Sequence, residues 1–195
     1  MKSIGLTGGI GSGKSTVSKI LINHNIPVYD SDNRAKFLMN SSFKLKEMIV
    51  KSFGKDSYVK NELNKSYISK IVFNNELKLK KINSLVHPFV HKDFGDWKKS
   101  IFSKYVIFES ALIFETGSYK LNEFNILVIC DVEERIKRVV NRDNIKKEDV
   151  LIRVKNQWND NKKIPLSDFI INNISLKETE RNVIKIVEFL NKKYQ

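Results

Sequence analysis

Apolar residues along the chain fall into short dense runs, separated by segments in which they recur every three or four positions. The runs are "KSIGLT" (residues 2–7), "IPVYD" (26–30), "YVIFES" (105–110), "NILVICD" (125–131) and "DFII" (168–171). Such runs, bounded by polar residues, predict strands buried on both faces, as in a parallel sheet. Between them, "KSTVSKILINH" sets Val17, Ile20 and Leu21 on one helical face, and "SLKETERNVIKIVEFLNKK" does the same with Val183, Ile186, Val187 and Leu190. Strands joined through helices predict an α/β fold: a parallel sheet of five strands with right-handed crossovers and helices on both faces.

Two stretches depart from simple alternation. Residues 33–102 show no strand pattern, only helical ones: "SFKLKEMIVKSFG", stopped by Gly54, then "KSYISKIVF" and "PFVHKDFGDWKKSIF". They predict a helical insertion between the second and third strands. Residues 133–163 form a second helical segment, strongly charged. No repeat or low-complexity linker divides the chain, so one domain over residues 1–195 is expected.

Composition changes this picture little. The formal net charge of +13 invites a nucleic-acid partner, but the chain holds 29 lysines against 6 arginines, with 20 asparagines and 23 isoleucines, the bias of a genome rich in A and T codons. The lysines spread from Lys2 to Lys193, as on solvated helix faces rather than a binding stripe. The charge is left favouring a small anionic substrate, with no nucleic acid and no membrane as partner. The first apolar run is too short for a signal peptide and no stretch has the length of a membrane span, so a cytoplasmic protein is expected. The lone Cys130, inside "ILVIC", reads as a small buried hydrophobe.

The chemistry concentrates in "GLTGGIGSGKSTVSKI" (5–20), which holds five of the eight glycines. Gly8, four residues, then Gly13, Lys14 and Ser15 fit the pattern G-x-x-x-x-G-K-S/T, between an expected strand and an expected helix. In such a P-loop, the backbone amides of Gly9, Ile10, Gly11, Ser12, Gly13, Lys14, Ser15 and Thr16 surround nucleotide phosphates. The lysine reaches the β and γ phosphates and the serine ligates Mg²⁺. The second strand ends in Asp30, Ser31, Asp32, where open α/β sheets put their ligands. Either carboxylate can accept or orient a proton from an attacking hydroxyl, with Asp32 the expected catalytic member, or cap the helix "NRAKFLMN".

The series "GLTGGIGSGKSTV", "VYDSD", "VHP", "ALIFE", "NRD" and "DFIINN", in this order along nearly the whole chain, resembles the dephospho-coenzyme A kinase family of P-loop kinases. The resemblance implies phosphoryl transfer from MgATP to the 3′-hydroxyl of dephospho-CoA, the last step of coenzyme A synthesis; a monomer or small homo-oligomer is expected. It implies Asp32 as the base, His87 and Pro88 in a CoA-binding helical insertion, and Arg142 as the arginine of a lid over about 133–163. The chain departs from the family pattern at Ala111, where proline is usual, at Arg135, where glutamine is common, and at Lys162 or Lys163, where arginine is common. A lysine makes no two-pronged fork to phosphate.

Other constellations read more plainly. His87 and His91 stand four apart but no further ligand accompanies them, so zinc is not expected. Trp97 and Trp158 read as core or pocket wall, and His24 as the end of the first helix. The rival readings are a kinase for another nucleoside or nucleotide, an NTP-binding switch, and a nucleic-acid-associated ATPase. The absence of an N-K-x-D guanine motif weighs against the switch.

Overall fold

The computed structural model describes residues 1–72 and 75–195. In chain order its elements are β1 (Lys2–Thr7), α1 (Lys14–Asn23), β2 (Val28–Asp30), α2 (Ser31–Ser41), α3 (Phe43–Phe53), β3 (Tyr58–Val59), β4 (Glu62–Leu63), α4 (Lys65–Val72) and α5 (Glu76–Ser100). There follow β5 (Tyr105–Glu109), β6 (Phe124–Ile129), α6 (Val132–Asp143), α7 (Lys147–Lys155), α8 (Asp160–Lys163), β7 (Phe169–Asn172) and α9 (Leu176–Lys193). The chain divides into two compact units, one of Met1–Asp30 with Ile101–Gln195 and one of Ser31–Ser100. No described helix is long and apolar enough to cross a membrane.

The first unit is built on a five-stranded parallel sheet in the order β2-β5-β1-β6-β7. Its strands are the five apolar runs. β1 and β5 bury all residues but Lys2, which is why their sequences run apolar without alternation. Ile4 is paired with Ile107 on one side and Phe124 on the other. Around the sheet, Val17, Ile20 and Leu21 of α1 and Val183, Ile186, Val187 and Leu190 of α9 join Ile4, Leu6, Ile126 and Ile171 in one buried cluster. The helical spacing in the sequence thus marks the faces that meet the core. Side chains fix the starts of α6 and α9: the Asp131 carboxylate accepts from the amides of Glu133 and Glu134, and Ser175 with Glu178 forms the S-x-x-E box at the head of α9. Cys130 is buried and free.

From β1 the chain leaves for β2 at one edge, and from β5 it crosses to β6 on the other side of β1. The carboxyl end of β1 therefore sits where the connections part, the place at which open α/β sheets leave a crevice.

The second unit is mainly helical, with two differences from the sequence reading. A two-residue hairpin, β3 with β4, stands where no strand is expected, turning on Lys60 and Asn61, both left-handed with φ of 49° and 69°. It is tied down by Tyr58, whose hydroxyl donates to the Met39 carbonyl at 2.7 Å, and by the Leu63 amide, which donates to Asn40 Oδ1 at 2.7 Å. The helical pattern read from Pro88 onward belongs to a longer helix that starts at Glu76 and runs through the proline. Proline removes one helical donor and favours a first turn, which is why the sequence suggests a start there. The buried Ile82, Leu85, Val86 and Val90 hold the helix across it. The pattern "KSYISKIVF" appears as α4, its last residue lying outside the described residues.

Candidate active site

β1 ends at Thr7 and α1 begins at Lys14, so the glycine-rich motif is the loop between them. Gly11 and Gly13 have φ of 78° and 100°, conformations that side-chain-bearing residues rarely adopt. Room matters as much as dihedral freedom. A Cβ on Gly11 would lie 2.5 Å from the Arg135 carbonyl oxygen, and one on Gly13 would run into the Asn173 amide. The glycines expected to admit phosphate thus also let α6 and the segment after β7 approach the loop.

Gly13 occupies the N-cap position of α1 without a side-chain cap, and the first turn contains no acid. The positive end of a ten-residue helix is therefore open to an anion, with Lys14 beside it. The Lys14 ammonium reaches back across the loop to donate to the Gly8 carbonyl at 3.0 Å. Asn173 fastens the loop from the far side, its Nδ2 donating to the Ser12 carbonyl at 2.8 Å while its Oδ1 accepts from Thr179 at 2.8 Å. The hydroxyls of Thr7 and Ser12 are buried and make no hydrogen bond among the described residues.

A cavity of about 430 Å³ opens on this loop, lined by Lys14, Ser15 and Thr16 on one side and by Arg138, Arg142 and Asn173 on the other. Ser15 is exposed on the first turn of α1 and presents a neutral oxygen of the kind Mg²⁺ takes beside phosphate oxygens. The donor set fits that ion. The Arg142 guanidinium donates to both oxygens of Asp143, at 2.7 and 3.0 Å, and that pairing holds its proton above the ordinary range. Arg138 is held by Glu134 at 3.0 Å.

At the strand ends, Asp30 and Glu109 are register partners. Glu109 is buried and accepts a 2.6 Å hydrogen bond from Ser18 of α1, an acid that the sequence reading passes over although "YVIFES" displays it. The remaining expected residues belong to the helical unit. α2 begins at Ser31, so Asp32 lies inside its first turn. Asp32 is exposed. Its helix is clamped to α5 by Arg34, which donates to both oxygens of Asp93 at 2.8 and 2.6 Å.

His87 and Pro88 are on α5, the histidine partly buried and the proline exposed. Burial, and to a smaller extent the neighbouring His91, pushes the His87 pKa below its ordinary 6.5. The unfolded chain takes up this proton at a higher pH than the folded one. Stability is therefore lost as pH falls through that ordinary value and levels off below the folded one. Melting temperatures from about pH 7.5 to about pH 5.5 should fall more steeply for the wild type than for His87→Gln. Identical slopes would show that His87 is not the group responsible.

A phosphate loop between a central parallel strand and a helix, with lysine, serine and two arginines around one cavity, defines a P-loop nucleotide-binding protein. Comparisons with known proteins carry this further. The family model for dephospho-CoA kinase matches residues 2–178. The dephospho-CoA kinase of Fusobacterium nucleatum is 36% identical over 187 residues, 95% of this chain and 96% of that protein. That of Leptospira interrogans is 39% identical over 172 residues, 87% and 83% of the two chains. A crystal structure of a Thermus thermophilus protein superposes with a TM-score of 0.84 at 29% identity, covering 97% of each chain. The chain belongs to the dephospho-CoA kinase family.

Proposed function

We propose that this member of the family passes the γ-phosphoryl group of ATP to the 3′-hydroxyl of its acceptor, with the roles set out below. The chain phosphorylates dephospho-CoA with ATP. The reading of its residues rests on one observation: Lys14, the open end of α1 and two arginines surround a single cavity. The amides from Gly9 to Thr16 hold the donor phosphates, and the Lys14 ammonium follows the negative charge as it moves toward the leaving oxygen. Mg²⁺ would be held by Ser15 with phosphate oxygens, and supplies charge neutralisation on the transferring group. Asp32 accepts or orients the proton of the acceptor hydroxyl. His87 and Pro88 belong to the acceptor-binding helical segment, about 33–102, and residues 133–163 act as a lid carrying Arg142. The enzyme works in the cytoplasm.

Turnover measured against dephospho-CoA and a panel of nucleosides and nucleotides, with the product mapped by mass and by sensitivity to a 3′-phosphatase, tests the acceptor assignment. A product resistant to that phosphatase overturns it. For the lid, Arg142 exchanges its exposed pairing with Asp143 for the phosphoryl oxygens. Arg142→Lys keeps the charge but loses the planar fork, so kcat should fall by more than ATP affinity does. An unchanged kcat would move that role to Arg138.

A further inference from the structure

The tip of the phosphate loop is Ile10, and neither of its backbone groups is satisfied by the loop itself. Its N–H donates to Gln157 Oε1 at 2.8 Å, and its carbonyl accepts from Arg135 Nε at 3.0 Å. Within the loop the Ser12 amide closes onto the Gly9 carbonyl at 3.0 Å, and Lys14 takes the Gly8 carbonyl. The most pliable peptide of the motif, flanked by Gly9 and Gly11, is thus held only from outside, by residues 125 and 147 positions away.

Gln157 is itself held. The amide of the next residue, Trp158, donates to Glu115 Oε1 at 2.9 Å, and the same oxygen lies 2.9 Å from the ammonium of Lys163. The Lys163 side chain is fully buried and that of Glu115 is 11% exposed. The contact is an ion pair without a well-directed hydrogen bond, and Glu115 Oε2 is buried with no hydrogen-bond partner among the described residues. Arg135, 5% exposed, adds a looser 3.5 Å contact to Asp160, inside the same turn of chain. A buried pair with unsatisfied atoms is a poor source of stability, because desolvation opposes the attraction and apolar residues of the same size serve as well or better. What this pair does is fix the turn 157–163, and with it the position of the Gln157 amide.

We propose that Gln157 is a positioning residue of the phosphate loop, anchored by the Glu115–Lys163 pair, and that it sets the direction of the loop amides before ATP arrives. The proposal rests on the reading of this loop as the donor site. Amides aimed in advance stabilise developing phosphoryl charge without reorganising, whereas a glycine-flanked peptide released at one end must be ordered on binding. The effect falls on the donor and leaves the acceptor alone.

The test uses the full chain and two variants. Gln157→Leu removes the acceptor of the Ile10 N–H at nearly constant volume. Glu115→Leu with Lys163→Met replaces the anchor by apolar groups and should melt no lower than the wild type. Both should weaken ATP binding, read by calorimetry without acceptor, and lower kcat/KM for ATP by roughly tenfold or more, while KM for dephospho-CoA stays within about twofold. Amide exchange at Ile10 should quicken in both. Unchanged ATP binding in Gln157→Leu, or equal losses for donor and acceptor, would overturn the proposal. A wild-type protein that binds ATP but does not phosphorylate dephospho-CoA would instead overturn the acceptor assignment, and the ATP-binding comparison would still decide the role of Gln157.

Discussion

Lys14→Ala is expected to reduce phosphoryl transfer by at least roughly a thousandfold while leaving the protein folded. Lys14 belongs to none of the buried apolar clusters, and its contact with the Gly8 carbonyl is a link within the loop rather than a core contact. Truncation therefore removes little that holds the sheet to α1. In the transition state a fixed ammonium beside the β and γ phosphates stabilises charge that water would otherwise have to reorganise to meet. Gly13 and the amides of α1 remain, so ATP binding should weaken less than the rate. Single-turnover transfer, read beside a thermal melt, separates the two effects. A folded variant with near wild-type turnover would show that the loop is not the catalytic phosphate site.

The second large effect is expected at Asp32. Asp32→Asn keeps the size of the side chain and much of its hydrogen bonding, yet should lower kcat by roughly a hundredfold or more, the usual scale for a group that handles a proton in the transition state. ATP affinity should barely change. Phosphoryl transfer has a loose transition state, so the carboxylate should act largely by orienting the hydroxyl, and the pH dependence of the defect should be shallow. Asp30 serves as the comparison. It ends β2 opposite Glu109 and precedes α2, so Asp30→Asn should act through local geometry and cost less. A fast enzyme with Asn at 32 and a dead one with Asn at 30 would reassign the base.

What could be read from the chain depended on how local each cause is. The strands of the main sheet are legible because burial on both faces forces an unbroken apolar run, as in "YVIFE". α9 is legible from the spacing of Val183, Ile186, Val187 and Leu190 and from the Ser175–Glu178 box at its head. The β3–β4 hairpin is not, because two-residue strands leave no periodicity and its turn uses Lys60 and Asn61 instead of a glycine pair. The first half of α5 is hidden by Pro88, which looks like a beginning when read alone.

The same division holds at the site. Lys14, Ser15 and the glycines lie in one short motif whose spacing carries the chemistry. Asn173, Arg135 and Gln157 reach the loop across more than a hundred residues, and no local pattern announces them. Arg135, where the sequence reading expects glutamine, donates to the Ile10 carbonyl.

The central place of β1 bears on how the protein comes to be folded. β1 precedes both of its neighbours by about a hundred residues: Lys2 pairs with Tyr105, and Ile4 with Phe124. A growing chain therefore displays every residue of the phosphate motif long before the strands that hold it exist. Even with β5 and β6 made, the Ser12 carbonyl waits for Asn173. Closing loops of this length delays assembly more than it weakens the product, since closure entropy grows only with the logarithm of length. A nucleotide that recognises only the finished arrangement would bind the native state in preference to unfinished ones and stabilise it by an amount that grows with the logarithm of its concentration above Kd. For this chain the donor would then also be a folding ligand, and chains released without nucleotide should mature in lower yield.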